Sequence, residues 1–127
     1  MDTGARLPYI AVVGSEAKAW QTAEENLVLV GSNDTMQKIG SLFISLHNLV
    51  GIITIRRYMQ INDTERRLYP DYIVDASSDP PGIPIVDGTM LIHEVLRITL
   101  QSDNAADNMK AVDYDYVIKL LSLPPGG

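Results

Sequence analysis

The chain has 127 residues, 16 acids against 10 bases, and no cysteine. That length holds one domain with one core, and a net charge of −6 disfavours general binding to a phosphate backbone, which needs clustered Lys and Arg. Without cysteine there is no disulfide framework, no thiolate metal site and no cysteine nucleophile.

The N-terminus, Met1-Asp2-Thr3-Gly4-Ala5-Arg6, lacks the basic and apolar regions of a secretory signal. No apolar run reaches the roughly 20 residues of a membrane-spanning helix. Both features predict synthesis in a cytoplasm. Breakers then recur at short intervals: Gly14, Gly31, Gly40, Gly51, Pro70, Pro80-Pro81-Gly82, Pro84 and Gly88. Between them lie runs rich in Ile, Val, Leu, Thr and Tyr, the pattern of many short strands. The first run, Leu7 to Val13, ends at Gly14. The first 24 residues still lack a strong core pattern and read as an extended arm that reaches a neighbouring subunit. A sandwich domain over 25–123 and a short tail over 124–127 follow.

Asn26 to Val30 is a compact run that ends in the turn cluster Gly31-Ser32-Asn33-Asp34. Lys38 to Leu46 alternates, with Gly40, Leu42, Ile44 and Leu46 on one face and Ser41, Phe43 and Ser45 on the other. Ile52 to Ile61 and Thr64 to Val74 flank Asn62-Asp63 and predict a hairpin with a two-residue loop that pairs Ile61 with Thr64. One face then carries Ile53, Ile55, Met59 and Ile61 opposite Leu68 and Tyr72, with Arg57 and Arg66 as exceptions. The other carries Arg56 opposite Tyr69 and Tyr58 opposite Arg67, pairs suited to cation–π contact on a solvated face.

Asp75 to Gly88 reads as a polar connection in which Ile83, Ile85 and Val86 form at most a short edge strand, because Pro80, Pro81 and Pro84 cannot donate to a ladder. Thr89 to Gln101 fits a strand or a helix face, with the strand favoured by Ile98-Thr99-Leu100-Gln101 running into a polar turn. Ser102 to Lys110 is a turn or one helical turn. Ala111 to Ser122 alternates, placing Val112, Tyr114, Tyr116, Ile118 and Leu120 inward and Asp113, Asp115 and Lys119 outward. The expected fold is all-β, an antiparallel β-sandwich of jelly-roll or immunoglobulin-like type.

No catalytic constellation is complete. Ser15-Glu16-Ala17-Lys18 and Ser102-Asp103-Asn104 mimic the S-x-x-K and S-D-N signatures of penicillin-recognising serine enzymes. The K-[ST]-G strand that closes such a site is absent, since Lys110 precedes Ala111 and Lys119 precedes Leu120, so the second motif reads as a polar hairpin loop. His47 and His93 lie in separate segments and read as surface residues rather than ligands. Acids and amides cluster at 103–108 and at Asp75, Asp79 and Asp87, but the calcium-loop pattern is missing. Asn33-Asp34-Thr35 and Asn62-Asp63-Thr64 match the glycosylation acceptor pattern and read more simply as turns. No cofactor and no metal are expected.

Four of the ten bases, Arg56, Arg57, Arg66 and Arg67, meet on the predicted hairpin. They form a positive patch in an acidic chain, suited to the acidic loops of a neighbouring subunit. With Tyr58, Tyr69 and Trp20 they are the interface candidates.

The layout of Ser41-Leu42-Phe43-Ile44-Ser45-Leu46, Ile53-Thr54-Ile55-Arg56, Arg97-Ile98-Thr99-Leu100-Gln101 and Val112-Asp113-Tyr114-Asp115-Tyr116 resembles small β-sandwich structural proteins of tailed bacteriophages, especially capsid decoration (cement) proteins. The resemblance covers about two thirds of the chain. It implies a non-enzymatic virion protein that stabilises a shell, with copies of itself and a major capsid protein as partners, and neither nucleic acid nor membrane. The competing expectation is a carbohydrate-binding module of a tail or adhesin, with Tyr58, Tyr69 and Trp20 as stacking platforms.

Overall fold

A computed structural model describes residues 9–31, 36–62, 64–92 and 94–121. It contains eight strands: β1 (Ile10–Ala17), β2 (Glu25–Gly31), β3 (Gln37–Ser45), β4 (Ile52–Ile61), β5 (Thr64–Asp75), β6 (Gly82–Ile92), β7 (Val95–Ser102) and β8 (Ala111–Leu120), with one 3-10 turn at Ala105–Asp107. They form two four-stranded sheets ordered β1-β8-β3-β6 and β2-β7-β4-β5. Every pairing is antiparallel. Apart from the β4–β5 hairpin, successive strands alternate between the sheets. This interleaving of two Greek keys is the jelly roll, and it decides between the two expected sandwich types.

The core lies between the sheets. Ile39, Leu42 and Ile44 of β3 and Val112 of β8 meet Ile53 and Ile55 of β4 and Leu96, Ile98 and Leu100 of β7, all essentially inaccessible to solvent. Each is one half of an alternating strand, as period-two patterning requires of a sandwich with two wet outer faces. Tyr114 and Tyr116 stack inside the β8 end at 6.2 Å between ring centroids. Gly14 makes room for this, because a Cβ there would stand 2.4 Å from the Tyr114 ring.

Several sequence expectations change. Residues 10–24 are not an arm. Ile10–Ala17 pairs with β8 over eight consecutive positions, and the segment after it buries Trp20, whose indole N–H donates to the Lys110 carbonyl at 2.8 Å. Residues 1–8 lie outside the described residues. Gly40 does not share the face of Leu42. Ser41, at φ 50, is an extra residue where the register shifts between Gly40 and Phe43, so the bulge turns Gly40 outward toward Val117 and Thr89.

The hairpin pairs Ile61 with Thr64 as expected, with Asn62 at φ 52. Its register, however, shifts between Ile55 and Arg57, so no Arg56–Tyr69 pair forms on that ladder. The edge strand containing Pro84 is longer than expected and continues to Ile92. Thr89 to Gln101 divides between β6 and β7, with a bend at Glu94.

The Ser102–Lys110 loop closes one end of the sandwich. The Asp107 carboxylate is fully buried and accepts from the Val50 and Gly51 amides at 2.9 and 3.0 Å and from the Ser102 hydroxyl at 2.6 Å. Ser102 therefore serves a loop-to-loop clasp, which accounts for Ser102-Asp103-Asn104 structurally. Asp75 and Asp79 order their own turn, Asp79 accepting from the Asp75 amide at 2.9 Å. Among the described residues no group of three or more acids and histidines is arranged for a metal ion.

Candidate interaction surface

The two outer faces of the sandwich carry the candidate residues. On the β2-β7-β4-β5 sheet, Tyr58 stands in register between Arg67 of β5 and Arg97 of β7. The cation that covers its ring is Arg97, at 4.2 Å from the centroid. Arg97 also forms a bidentate pair with Glu65 at 2.9 and 2.8 Å and donates to the Asn26 side chain at 2.8 Å. Such fork-shaped pairs fix a guanidinium in orientation as well as position.

The centre of this face is Glu24, which precedes β2. Its carboxylate accepts from the Tyr58 hydroxyl at 2.6 Å and from the buried Thr99 hydroxyl, with Arg56 3.6 Å away. Burial raises the Glu24 pKa, but the Thr99 and Tyr58 hydrogen bonds and the charges of Arg56 and Arg97 outweigh it and hold the group below its ordinary value. Arg56 is further tied to Asp71 at 3.2 Å.

Most of the sequence-derived candidates are therefore occupied or displaced. Trp20 is fully buried and is no surface platform. Tyr58 has its ring covered and its hydroxyl bonded. Arg56 sits in a partly buried ion-pair network. Arg57 pairs in register with Leu68 and Ile98 on the inward-turned face, so it does not join the outer patch. Arg66 and Arg67 remain exposed at the hairpin, Arg67 3.3 Å from Asp71. The side chain of Tyr69, and His93, lie outside the described residues. His47 is exposed, hydrogen-bonded to Ser45 at 2.7 Å and 3.9 Å from Asp113.

The β1-β8-β3-β6 sheet presents a different outer face. Val13, Asp115, Phe43 and Pro84 stand side by side across its four strands. Val13 is 81% and Phe43 43% exposed. Two shallow, mainly apolar depressions of about 290 and 240 Å³ flank Phe43, the second lined by Ala11, Val13 and Val117. Alternation along Lys38–Leu46 already puts Phe43 on the outward side. An aromatic on the wet side of an alternating strand was the available signal.

No protein-family model and no curated protein sequence matches the chain. Among solved structures, a chain from Bacillus endospore appendages, described as a family of disulfide-linked pili, superposes with a TM-score of 0.53 at 10% identity over 91% of this chain and 89% of that one. That likeness shows a shared fold. A chain in the structure of infectious bursal disease virus, Gx strain, superposes with a TM-score of 0.40 at 15% identity, over 95% of this chain but 34% of the viral one. It adds nothing to the fold assignment.

Proposed function

We propose that the chain is a non-enzymatic virion structural protein, a capsid decoration protein that stabilises a shell by binding neighbouring subunits. The observation that carries this reading is the pair of exposed apolar side chains Val13 and Phe43, which flank Asp115 on the β1-β8-β3-β6 face. Surface apolar groups gathered into one region, with polar groups at its margins, are the mark of a protein contact. The fold is shared with a chain from an assembled appendage, which supports a building-block role. That appendage is disulfide-linked, whereas this chain has no cysteine with which to form such a link.

The mechanism is thermodynamic. A protein that binds only the assembled, folded shell stabilises it by mass action, by about 2.7 kcal/mol when its free concentration is a hundred times Kd. No bond is made or broken and no cofactor is used. The partners are other copies of the chain and a major capsid protein, and the location is the virion, after synthesis in the host cytoplasm.

The test is co-sedimentation with capsids, followed by heating the decorated and bare shells. The expected result is saturable binding and a higher disruption temperature for decorated shells. A protein that leaves every shell unbound would sink the proposal. Of the three stacking platforms of the carbohydrate-binding alternative, Trp20 is buried and the Tyr58 ring is covered by Arg97, while the Tyr69 side chain lies outside the described residues.

A further inference from the structure

The register orders the outer face of the β1-β8-β3-β6 sheet into rows that run across the strands. The first row sets Lys119 beside Lys38, with Leu91 next to it. The second holds Ala11, Val117, Gly40 and Thr89, and the third Val13, Asp115, Phe43 and Pro84. The fourth holds Ser15, Asp113 and Ser45. Successive rows are about 7 Å apart, so the lysine row stands about 20 Å from Asp113.

Two properties of this order are complementary to themselves. The charge changes sign along the strands, from Lys38 and Lys119 in the first row to Asp113 in the fourth, with Asp115 set between Val13 and Phe43 in the third. Among the described residues no ion pair engages Lys38, Lys119 or Asp115, while Lys119 lies 5.4 Å from the Tyr9 ring centroid and Asp113 3.9 Å from His47. The size of the side chains also changes. In the second row Ala11 is small and the Gly40 backbone is covered by Thr89 and Val117, while Val13 and Phe43 stand exposed in the third.

We propose that this face binds the same face of a second copy about a two-fold axis that lies in the interface, across the strands, between the second and third rows. The dimer follows from the self-association assumed in the proposed function and names its surface. Under that axis each strand lies over its counterpart in the reverse direction. Val13 falls over Ala11, Phe43 over Gly40 and its neighbours Thr89 and Val117, Asp115 over Val117, and Lys119 over Asp113. A two-fold axis along the strands would instead stack lysine on lysine, and like-charge juxtaposition is costly at an interface. Any other partner would have to carry both signs about 20 Å apart with apolar side chains between. A second copy carries that pattern by construction, which is the defining property of an isologous contact.

The face measures about 20 by 20 Å, on the order of 400 Å² per copy and 800 Å² in total, which is the weak, reversible end of specific interfaces. Sedimentation velocity over about 1 to 500 μM therefore brackets the equilibrium. The expected result is a concentration-dependent species of twice the 14.0 kDa chain mass. Lys119→Asp and Asp113→Lys alone should each weaken the dimer about tenfold or more, and the two together should restore it, because each contact occurs twice and repulsion becomes attraction again. Phe43→Ser should abolish it. Both charge reversals sit on the solvent side, and circular dichroism checks that each variant is folded. A chain that stays monomeric at the highest concentration, a trimer, or a dimer indifferent to both reversals overturns the proposal. Capsid co-sedimentation reads the functional proposal separately: a dimer that ignores shells upholds this inference, and a monomer that coats them overturns it.

Discussion

The two outer faces of the sandwich resolve their exposed side chains in opposite ways. On the β2-β7-β4-β5 sheet, arginines and acids are spent on one another: Arg97 on Glu65 and Tyr58, Arg56 on Glu24 and Asp71. On the β1-β8-β3-β6 sheet, Val13 and Phe43 are left without cover, and Lys38 and Lys119 stand about 20 Å from Asp113 and about 14 Å from Asp115. A cluster of charge in a sequence thus does not mark a contact surface. It marks one only when the fold leaves the cluster unsatisfied, and here the satisfied cluster stiffens a face while the plainer one stays open.

The comparison is broken most sharply through Glu24. Glu24→Ala removes the acceptor of the Tyr58 and Thr99 hydroxyls and the counter-charge of Arg56. Hydrogen bonds to a charged group contribute about 1.5–3 kcal/mol, so a loss of about 2–4 kcal/mol is expected in urea unfolding. Self-association of the folded protein should not change, because the two faces lie on opposite sides of the core. Arg97→Ala should cost about 1–3 kcal/mol through the bidentate pair and the ring contact.

Acid acts through the same carboxylate more gently, since a protonated Glu24 keeps some hydrogen bonding. Its folded pKa lies below the ordinary 4.5, so its stabilisation is complete above that value and is lost as the pH falls through the folded pKa. Urea midpoints measured from about pH 6 to about pH 3 should fall in the acid range, and Glu24→Gln should flatten that fall. The smallest effect on stability is expected from Phe43→Ser. The side chain is 43% exposed and packs outside the core, so the monomer should shift by no more than about 0.5 kcal/mol in dilute solution. A large loss there would mean that Phe43 belongs to the fold rather than to a contact.

Much of this architecture was legible in the residues. Alternation in β8 puts Val112, Tyr114, Tyr116 and Ile118 inward and Asp113, Asp115 and Lys119 outward; it also puts Leu120 inward, and there the structure differs, because Leu120 at the strand end is exposed. Asn62 marked the hairpin turn and its register at Ile61–Thr64. What failed was local. Gly40 was assigned to the wrong face because a bulge at Ser41 inserts one residue that period-two reasoning cannot detect. Trp20 and Tyr58 read as platforms in the sequence, because an aromatic in a polar stretch looks exposed until its partners are known. Those partners, Lys110 and Arg97, lie 90 and 39 positions further along the chain.

The sequence by itself determined an all-β sandwich, the inward half of most strands and a surface mixed in sign. Those depend on periodicity and turn chemistry, which are local. Only the tertiary structure decided that the sandwich is a jelly roll, that Ile10–Ala17 is a sheet edge rather than an arm, that the hairpin arginines are partly consumed, and that Lys38 and Lys119 share one face with Asp113 at its other end. Each of these depends on which distant strands become neighbours, because side chains at remote positions meet only through the cross-strand register.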